Sequence, residues 1–440
     1  MKKLMIALTM YLLFSSIIFA QADILRSGPM VGYSEMREVM LWVQTHDETD
    51  VKIAYWVKDN PTTIQYTDEV TTEKSSAFTA HLLADVLEPG LTYEYELYIN
   101  GEVVERPYPL EFQTQVLWQY RTDPPNFSFA FGSGAFINEA KYDRPKPYGG
   151  DYEIYETIFK VQPDFMVWGG DNVYLREADF YSWTGILHRN SFHREQEYLQ
   201  ALWGSIHHYA IWDDHDFGPD NSNRSFVHKE KTLEAFKLFW ANPTYGVNGN
   251  PGTTTYFEWG DAGFFMMDDR YYRTPNRRKT TEREIFGADQ VEWLIDALVK
   301  SRAPFKFIVT GNEFLTDNGY EENHINFNEE REGILSLIKA EGIEGVIFLT
   351  GDRHFSELSK MDREGTYPLH DFTISPFTSG ANSRKMENNS YRVDGSYIAK
   401  RNFAIFGISG ERKNRLLTCT IYDTYGEKLW DYKINANELK

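Results

Sequence analysis

At 440 residues the chain exceeds what one hydrophobic core usually supports, so two domains are expected, one of them large enough to bury a deep site. A formal net charge of -20 at pH 7 repels nucleic-acid phosphates and anionic membrane surfaces at long range, which excludes nucleic-acid binding as the main task. Hydrophobic residues at 42% and charged residues at 25%, with no long single-sign or Pro/Gly-rich stretch, place the chain among globular proteins.

Lys2 and Lys3 precede an apolar run from Leu4 to Phe19 that ends in Ala20-Gln21-Ala22. A charged start, a short apolar core and small residues at a cleavage position describe a secretory signal over residues 1–22. The run is at the short end of the roughly 20 residues that a membrane span needs, so no retained span is expected. The expected location is periplasmic or secreted. Cys419 is the single cysteine, which excludes an internal disulfide. Its alternating surroundings, Leu416 to Tyr422, read as a strand with a packed thiol.

Residues 23–117 carry short alternating runs separated by turn residues: Val39 to Thr45, Val51 to Val57, Leu91 to Ile99 and Leu110 to Thr114. Asn100-Gly101 between two such runs is a strong hairpin signal. The segment predicts a small all-β sandwich. Leu87-Glu88-Pro89-Gly90-Leu91-Thr92-Tyr93 resembles the corner of fibronectin type III domains, where a tyrosine anchors the turn into a strand. After a linker ending in Asp123-Pro124-Pro125, residues 126–440 alternate strand and helix patterns, which predicts an α/β sheet domain. The last runs, Phe403 to Ile408, Arg415 to Tyr422 and Lys428 to Asn435, return to strand pattern.

Four predicted strands end in polar or glycine-rich turns, where ligands collect in α/β sheets. These turns are Gly132-Ser133-Gly134, Gly169-Gly170-Asp171-Asn172-Val173-Tyr174, Trp212-Asp213-Asp214-His215-Asp216 and Gly351-Asp352-Arg353-His354. A lone strand-end Asp commonly caps a helix. Three Asp-bearing turns in one domain, each adding Tyr, His or a second Asp, point instead to a metal site. Oxygen-rich ligands with one or two imidazoles suit hard cations or zinc. A phenol with a pKa of about 10 makes Tyr174 a good ligand at neutral pH only for a strongly acidic ion such as ferric iron. Asp220 and Asn221 add further donors close behind the third turn. Arg270 and Arg273, in the segment Phe264 to Arg273, suit phosphate oxygens, with ion pairing to Asp268 or Asp269 as the alternative. Gly311-Asn312-Glu313 looks like the GNH-E motif of related phosphoesterases but lacks its His and reads as a helix-start turn, and Arg176 to Arg194 read as part of the wall that limits the substrate.

Together these motifs resemble the PhoD-like alkaline phosphatase D family of metallophosphoesterases. The matching residues are Gly169 to Tyr174, Trp212 to Asp216, Met267 to Arg273 and Gly351 to His354, and the resemblance runs from about Phe127 to His354. It implies a calcineurin-like αββα sandwich behind the small fibronectin- or Ig-like domain, and a site combining Fe3+ with Ca2+. By that resemblance Asp171, Tyr174 and Asp352 hold iron. Asp171, one of Asp213 or Asp214, and Asp220 or Asn221 serve calcium, with His354 nearby. One departure is present: the family's first motif supplies a cysteine ligand where this chain has Gly134. Water or a different metal is expected to fill that position.

The expected function is hydrolysis of a phosphomonoester or phosphodiester by in-line attack of a hydroxide activated on the metals. His215 or His354 is expected to protonate the leaving oxygen or orient the nucleophile, and Arg270 to clamp the phosphate, with Arg273 beside it. The partner is a small phosphoester or an exposed phosphate group, and a monomer is expected. The alternative reading is a catalytically weakened phosphate- or polyanion-binding relative, motivated by Gly134.

Overall fold

The computed structural model describes residues 24–382 and 386–440. The expected signal segment lies outside the described residues. Among them, no helix is long and apolar enough to cross a membrane. The chain forms two compact units. One contains the residues up to Leu117 together with Arg194–His207 and Leu238–Ala241; the other contains Trp118–His193, His208–Lys237 and Asn242–Lys440.

The first unit is an all-β sandwich. Strands Leu25–Ser34, Val39–Thr45 and Thr79–Ala84 run antiparallel in one layer. Asp50–Val57 and Thr92–Ile99 centre the other, flanked by Glu102–Val104 and Glu111–Gln113. Alternation in Thr92–Ile99 sends Tyr93, Tyr95, Leu97 and Ile99 inward, where they pack with Leu41, Val43, Ile53 and Leu82. The hairpin forms as the sequence predicts: Asn100 and Gly101 both adopt positive φ, 51° and 82°, as a tight two-residue turn requires. The tyrosine corner is also present, with the Glu88 N–H donating to the Tyr93 hydroxyl at 2.8 Å.

Two later segments complete this unit beyond the expected residues 23–117. Arg194 is enclosed by the rings of Trp42, Trp203, Phe239 and Trp240, the last at 4.2 Å from its guanidinium carbon. The Tyr95 hydroxyl donates to the Gly204 carbonyl at 2.8 Å. No local pattern in the sequence links these residues to strands over a hundred positions earlier.

The second unit is an αββα sandwich. In one sheet, strand Phe127–Gly132 lies between Phe165–Gly169 and Asn402–Ser409, with His207–Ile211 beyond the first neighbour and the hairpin Leu416–Asp423 and Lys428–Asn435 beyond the second. The other sheet has the order Thr255–Trp259, Ala262–Met266, Phe305–Val309, Val346–Thr350, Leu369–Thr373, Glu357–Met361. Its four central strands are parallel, and each is buried along its length, as expected for strands covered on both faces. Phenylalanines join the sheets: Phe129 meets Phe264 and Phe307 of the facing sheet with ring centroids 5.1 and 5.4 Å away. Helices cover the outer faces, through Tyr155 of Ile154–Val161 on Trp168 and through Trp293 of Ala288–Lys300 on Phe265.

Cys419 is fully buried in the strand Leu416–Asp423, paired with Phe406 and Tyr432. Burial raises its thiol well above the ordinary range, so it is a packing residue.

Replacing Tyr93 with Phe leaves the Glu88 N–H without its partner. The expected cost is about 1 kcal/mol, read from urea unfolding of the whole chain.

Candidate metal centre

Every strand that feeds the centre delivers its residues just past its carboxyl end. Asp171 to Tyr174 follow Phe165–Gly169, Asp213 to Asp216 follow His207–Ile211, and Asp352 to His354 follow Val346–Thr350. These turns require unusual backbone. Gly170 has φ of 90°, and Asp171, Asp352 and His354 have φ of 52°, 62° and 55°. Left-handed geometry at non-glycine residues costs about 1 to 3 kcal/mol each, persists only where the surroundings enforce it, and clusters at functional sites.

Asp216 does much of that enforcement. Its carboxylate accepts N–H groups from Asn172, Val173 and Asp213 at 3.0 to 3.1 Å, tying the second and third turns together. Burial lifts its pKa to about 7 against the pull of those backbone donors.

Oxygen and nitrogen donors converge between the turns. Atoms of Asp171, Asp214 and His215 lie within 4.8 Å of one another, as do atoms of Asp213, Asp214 and Asp352. The Tyr174 hydroxyl donates to Asp171 Oδ2 at 2.8 Å and lies 3.0 Å from His354 Nε2. The other ring nitrogen of His354 meets the Tyr148 hydroxyl at 2.7 Å. His215 stacks on Tyr174 with ring centroids 4.2 Å apart, and its Nε2 lies 3.6 Å from Asp220 Oδ1. The Asn221 N–H donates to Asp214 Oδ2 at 2.6 Å.

The electrostatics identify what is missing. Burial, then the carboxylates of Asp214, Asp352 and Asp216, push Asp171 well above the usual carboxylate range. Burial and Glu322 do the same to Asp352, against Arg353. Asp214 goes the other way: burial raises it, but His215, Arg270, the Asn221 N–H and Asp171 outweigh burial and hold it below its ordinary value. His354 is driven down to about 3, first by burial and then by the positive charges of His215 and Arg353. Buried oxygens of Asp214, Asp352, Asn172 and Asn221 have no hydrogen-bond partner among the described residues. Such orphaned acceptors are costly unless a cation satisfies them, and the oxygen and imidazole donor set fits hard cations.

The two arginines expected at the phosphate lie elsewhere. Arg270 is 0% exposed and pairs with Asp213 and with Glu322 Oε1, the latter at 2.7 Å. Arg273 donates to Asn312 Oδ1 at 3.1 Å and to the Glu322 carbonyl at 3.0 Å. Both guanidiniums are used inside the protein, behind Asp213, so neither is positioned as a clamp. Of the alternative pairings, that with Asp269 is present, Arg270 Nε lying 3.8 Å from Asp269 Oδ1. Asp268 instead accepts from Trp212 Nε1 at 2.8 Å, and Asp269 accepts the Gly311 N–H at 2.8 Å.

Asn312 is not a helix-start residue. Its amide nitrogen donates to Asp213 Oδ2 at 3.2 Å while its oxygen receives both arginines. Asn312, Glu322 and Tyr148 therefore join the site; the Gly311-Asn312-Glu313 turn was a signal for the first, and no local pattern marks the other two. Asp213 is occupied by Arg270 and Asn312. Asp214 faces a cleft of about 720 Å³ whose lining includes His215, Asp220, Asp352, His354, Arg144 and Lys146. Arg176 to Arg194 do not line this cleft. Residues 176–189 border a separate cavity beside Asn138 and Tyr142.

The comparisons with known proteins agree with this geometry. A family model described as PhoD-like phosphatase matches residues 129–406. The chain belongs to that family. A domain-of-unknown-function model, DUF7800, matches residues 22–117. Alkaline phosphatase D of Bacillus subtilis is 23% identical over 372 residues, covering 74% of this chain and 62% of that protein's length. A solved structure of PhoD aligns with a TM-score of 0.74 at 18% identity, covering 91% of each chain. A purple acid phosphatase from yellow lupin (Lupinus luteus) seeds aligns at 0.66 and 11% identity, covering 92% of this chain and 74% of that one. Both likenesses support the calcineurin-like αββα fold.

Arg270→Met should strand Asp213 and Glu322 as buried carboxylates without their cation. The expected loss is about 3 to 5 kcal/mol in unfolding of the metal-free protein. A raised KM with unchanged stability would restore Arg270 to the substrate.

Proposed function

We propose that the cleft is the centre of an exported, metal-dependent phosphoester hydrolase. The observation that carries this reading is the meeting of Asp171 with His215 and Asp214, and of Asp352 with Asp213 and Asp214, beside a cleft that Asp214, His215 and Asp352 line, with buried carboxylate oxygens that accept no hydrogen bond among the described residues. Asp171, Tyr174 and Asp352 would hold one cation, with His354 nearby. Asp171, Asp214 and Asp220 or Asn221 would hold the second. Ferric iron beside the Tyr174 phenol and calcium among the carboxylates fit these hard donors. Such cations supply acidified water and neutralise charge that develops at phosphorus.

The remaining work falls to the protein's own side chains. His215 is the better proton donor to the leaving oxygen, because its Nε2 faces Asp220 in the cleft while both nitrogens of His354 are occupied by tyrosine hydroxyls. Arg144 and Lys146, exposed on the cleft rim, replace Arg270 and Arg273 as the cations that meet the phosphate. Arg353 has a different task. It lies 3.4 Å over the Tyr320 ring and pairs with Glu387 and Glu313, holding the last turn in place.

Asp171→Asn is expected to lose bound metal, measured by elemental analysis, together with at least about a hundredfold of the hydrolysis of p-nitrophenyl phosphate and bis(p-nitrophenyl) phosphate. Full turnover by this variant would overturn the assignment. Arg144→Ala combined with Lys146→Ala should raise KM about tenfold while changing kcat little, since exposed rim cations attract the substrate more than they stabilise its reaction. Steady-state kinetics at low ionic strength measure this.

A further inference from the structure

We propose that the Ser379 hydroxyl is a donor to the metal centre, occupying the corner that a side chain at position 134 would otherwise fill. The proposal rests on the metallophosphatase reading of the cleft and names a residue within it.

Ser379 lies on the segment after strand Leu369–Thr373, far in sequence from every motif of the site. Backbone bonds bring it there. The Phe377 N–H donates to the Ser133 carbonyl at 2.7 Å, and the N–H groups of Thr378 and Ser379 both donate to the Gly134 carbonyl, at 3.1 and 3.0 Å. Arg401 Nε holds the Ser379 carbonyl at 3.0 Å from the other side. The two loops thus behave as one stitched unit.

The side chain then has one direction left. Ser379 is 0% exposed, and its Oγ makes no hydrogen bond of ordinary geometry among the described residues. It faces the Tyr174 phenol, with which it interacts only weakly, and that phenol meets Asp171 and His354. A buried hydroxyl without a well-formed hydrogen bond costs free energy, and a cation held by Asp171 and Tyr174 would recover that cost.

Gly134 supports the same assignment by exclusion. Its φ is 74°, and a Cβ added there would lie 3.1 Å from both Ser379 Oγ and Pro376 Cβ. Any side chain at 134 would be strained and would press on the hydroxyl already present. The corner has therefore exchanged a donor from the first turn for a neutral, hard oxygen from the last. A hydroxyl brings no negative charge and no softness, so the centre should favour hard cations more than a thiolate-bearing site would.

The test strips metal from the full chain, reloads it with Zn2+ or Co2+ alone, and measures retention against a competing chelator for Ser379→Ala, Ser379→Cys and Asp171→Asn. Ser379→Ala should weaken Zn2+ retention about tenfold without lowering the melting temperature of the metal-free protein. Ser379→Cys should tighten Zn2+ retention and give Co2+ an intense near-ultraviolet thiolate band. Unchanged retention in Ser379→Ala would overturn the proposal. So would a lower metal-free melting temperature with an unaltered rise on metal addition, which is the mark of packing alone. If Ser379→Cys fails to fold, the alanine variant decides. Retention by Asp171→Asn equal to that of the unaltered chain would remove the metallocentre reading itself, an outcome separate from the fate of Ser379.

Discussion

Asp171, Asp213 and Asp214 are buried, and Asp352 nearly so, at the meeting of three strand-end turns, with donor atoms from these groups only a few ångströms apart. Like charges at that spacing, removed from water, repel strongly enough that they cannot all stay ionised without compensation. Much of the surrounding structure is compensation. Arg270 neutralises Asp213 and acts on Asp214, and Arg353 acts on Asp352. Asp171 is treated differently. Of the strongest influences on it, burial and three carboxylates all oppose its ionisation, and only the Tyr174 hydroxyl favours it.

This arrangement explains why the backbone is held so firmly. Asp171, Asp352 and His354 keep left-handed backbone, and Asp171 and His354 are fixed from outside their own turns. The Ala135 N–H donates to the Asp171 carbonyl at 2.8 Å, Asp216 staples the neighbouring amides, and the His354 N–H reaches Ser375 Oγ at 3.2 Å. A donor set spread over two sheets keeps its geometry because backbone bonds between the turns, rather than the flexible side chains, set the distances.

The strand-end motifs were legible in the sequence because each couples an apolar run to a fixed turn chemistry, and the Asn100-Gly101 hairpin and Tyr93 corner were legible for the same local reason. Other elements escaped. Strand Leu369–Thr373 buries His370 and Asp371 in its centre, so its polar residues disguise a core strand; Asp371 is satisfied there by the Phe314 and Leu315 amides and the Thr350 hydroxyl. Asn312, Glu322 and Tyr148 act on residues tens to hundreds of positions away, a relation that spacing does not carry. The direction of Arg270 and Arg273 was misread because a segment shows which residues are near in sequence but not which face the substrate. Gly134 showed that a side chain was absent, and only the fold shows that Ser379 stands against the space.

If cations complete this carboxylate cluster, they hold the folded chain together as well as its chemistry. The melting temperature of the whole chain as isolated, after removal of metal by a chelator, and after metal is returned reads this. Since a ligand that binds only the folded state stabilises it by about 2.7 kcal/mol at a hundred times its Kd, a fall of several degrees is expected on chelation, reversed by added metal. A protein that contains no metal as isolated and melts at the same temperature under all conditions would contradict it.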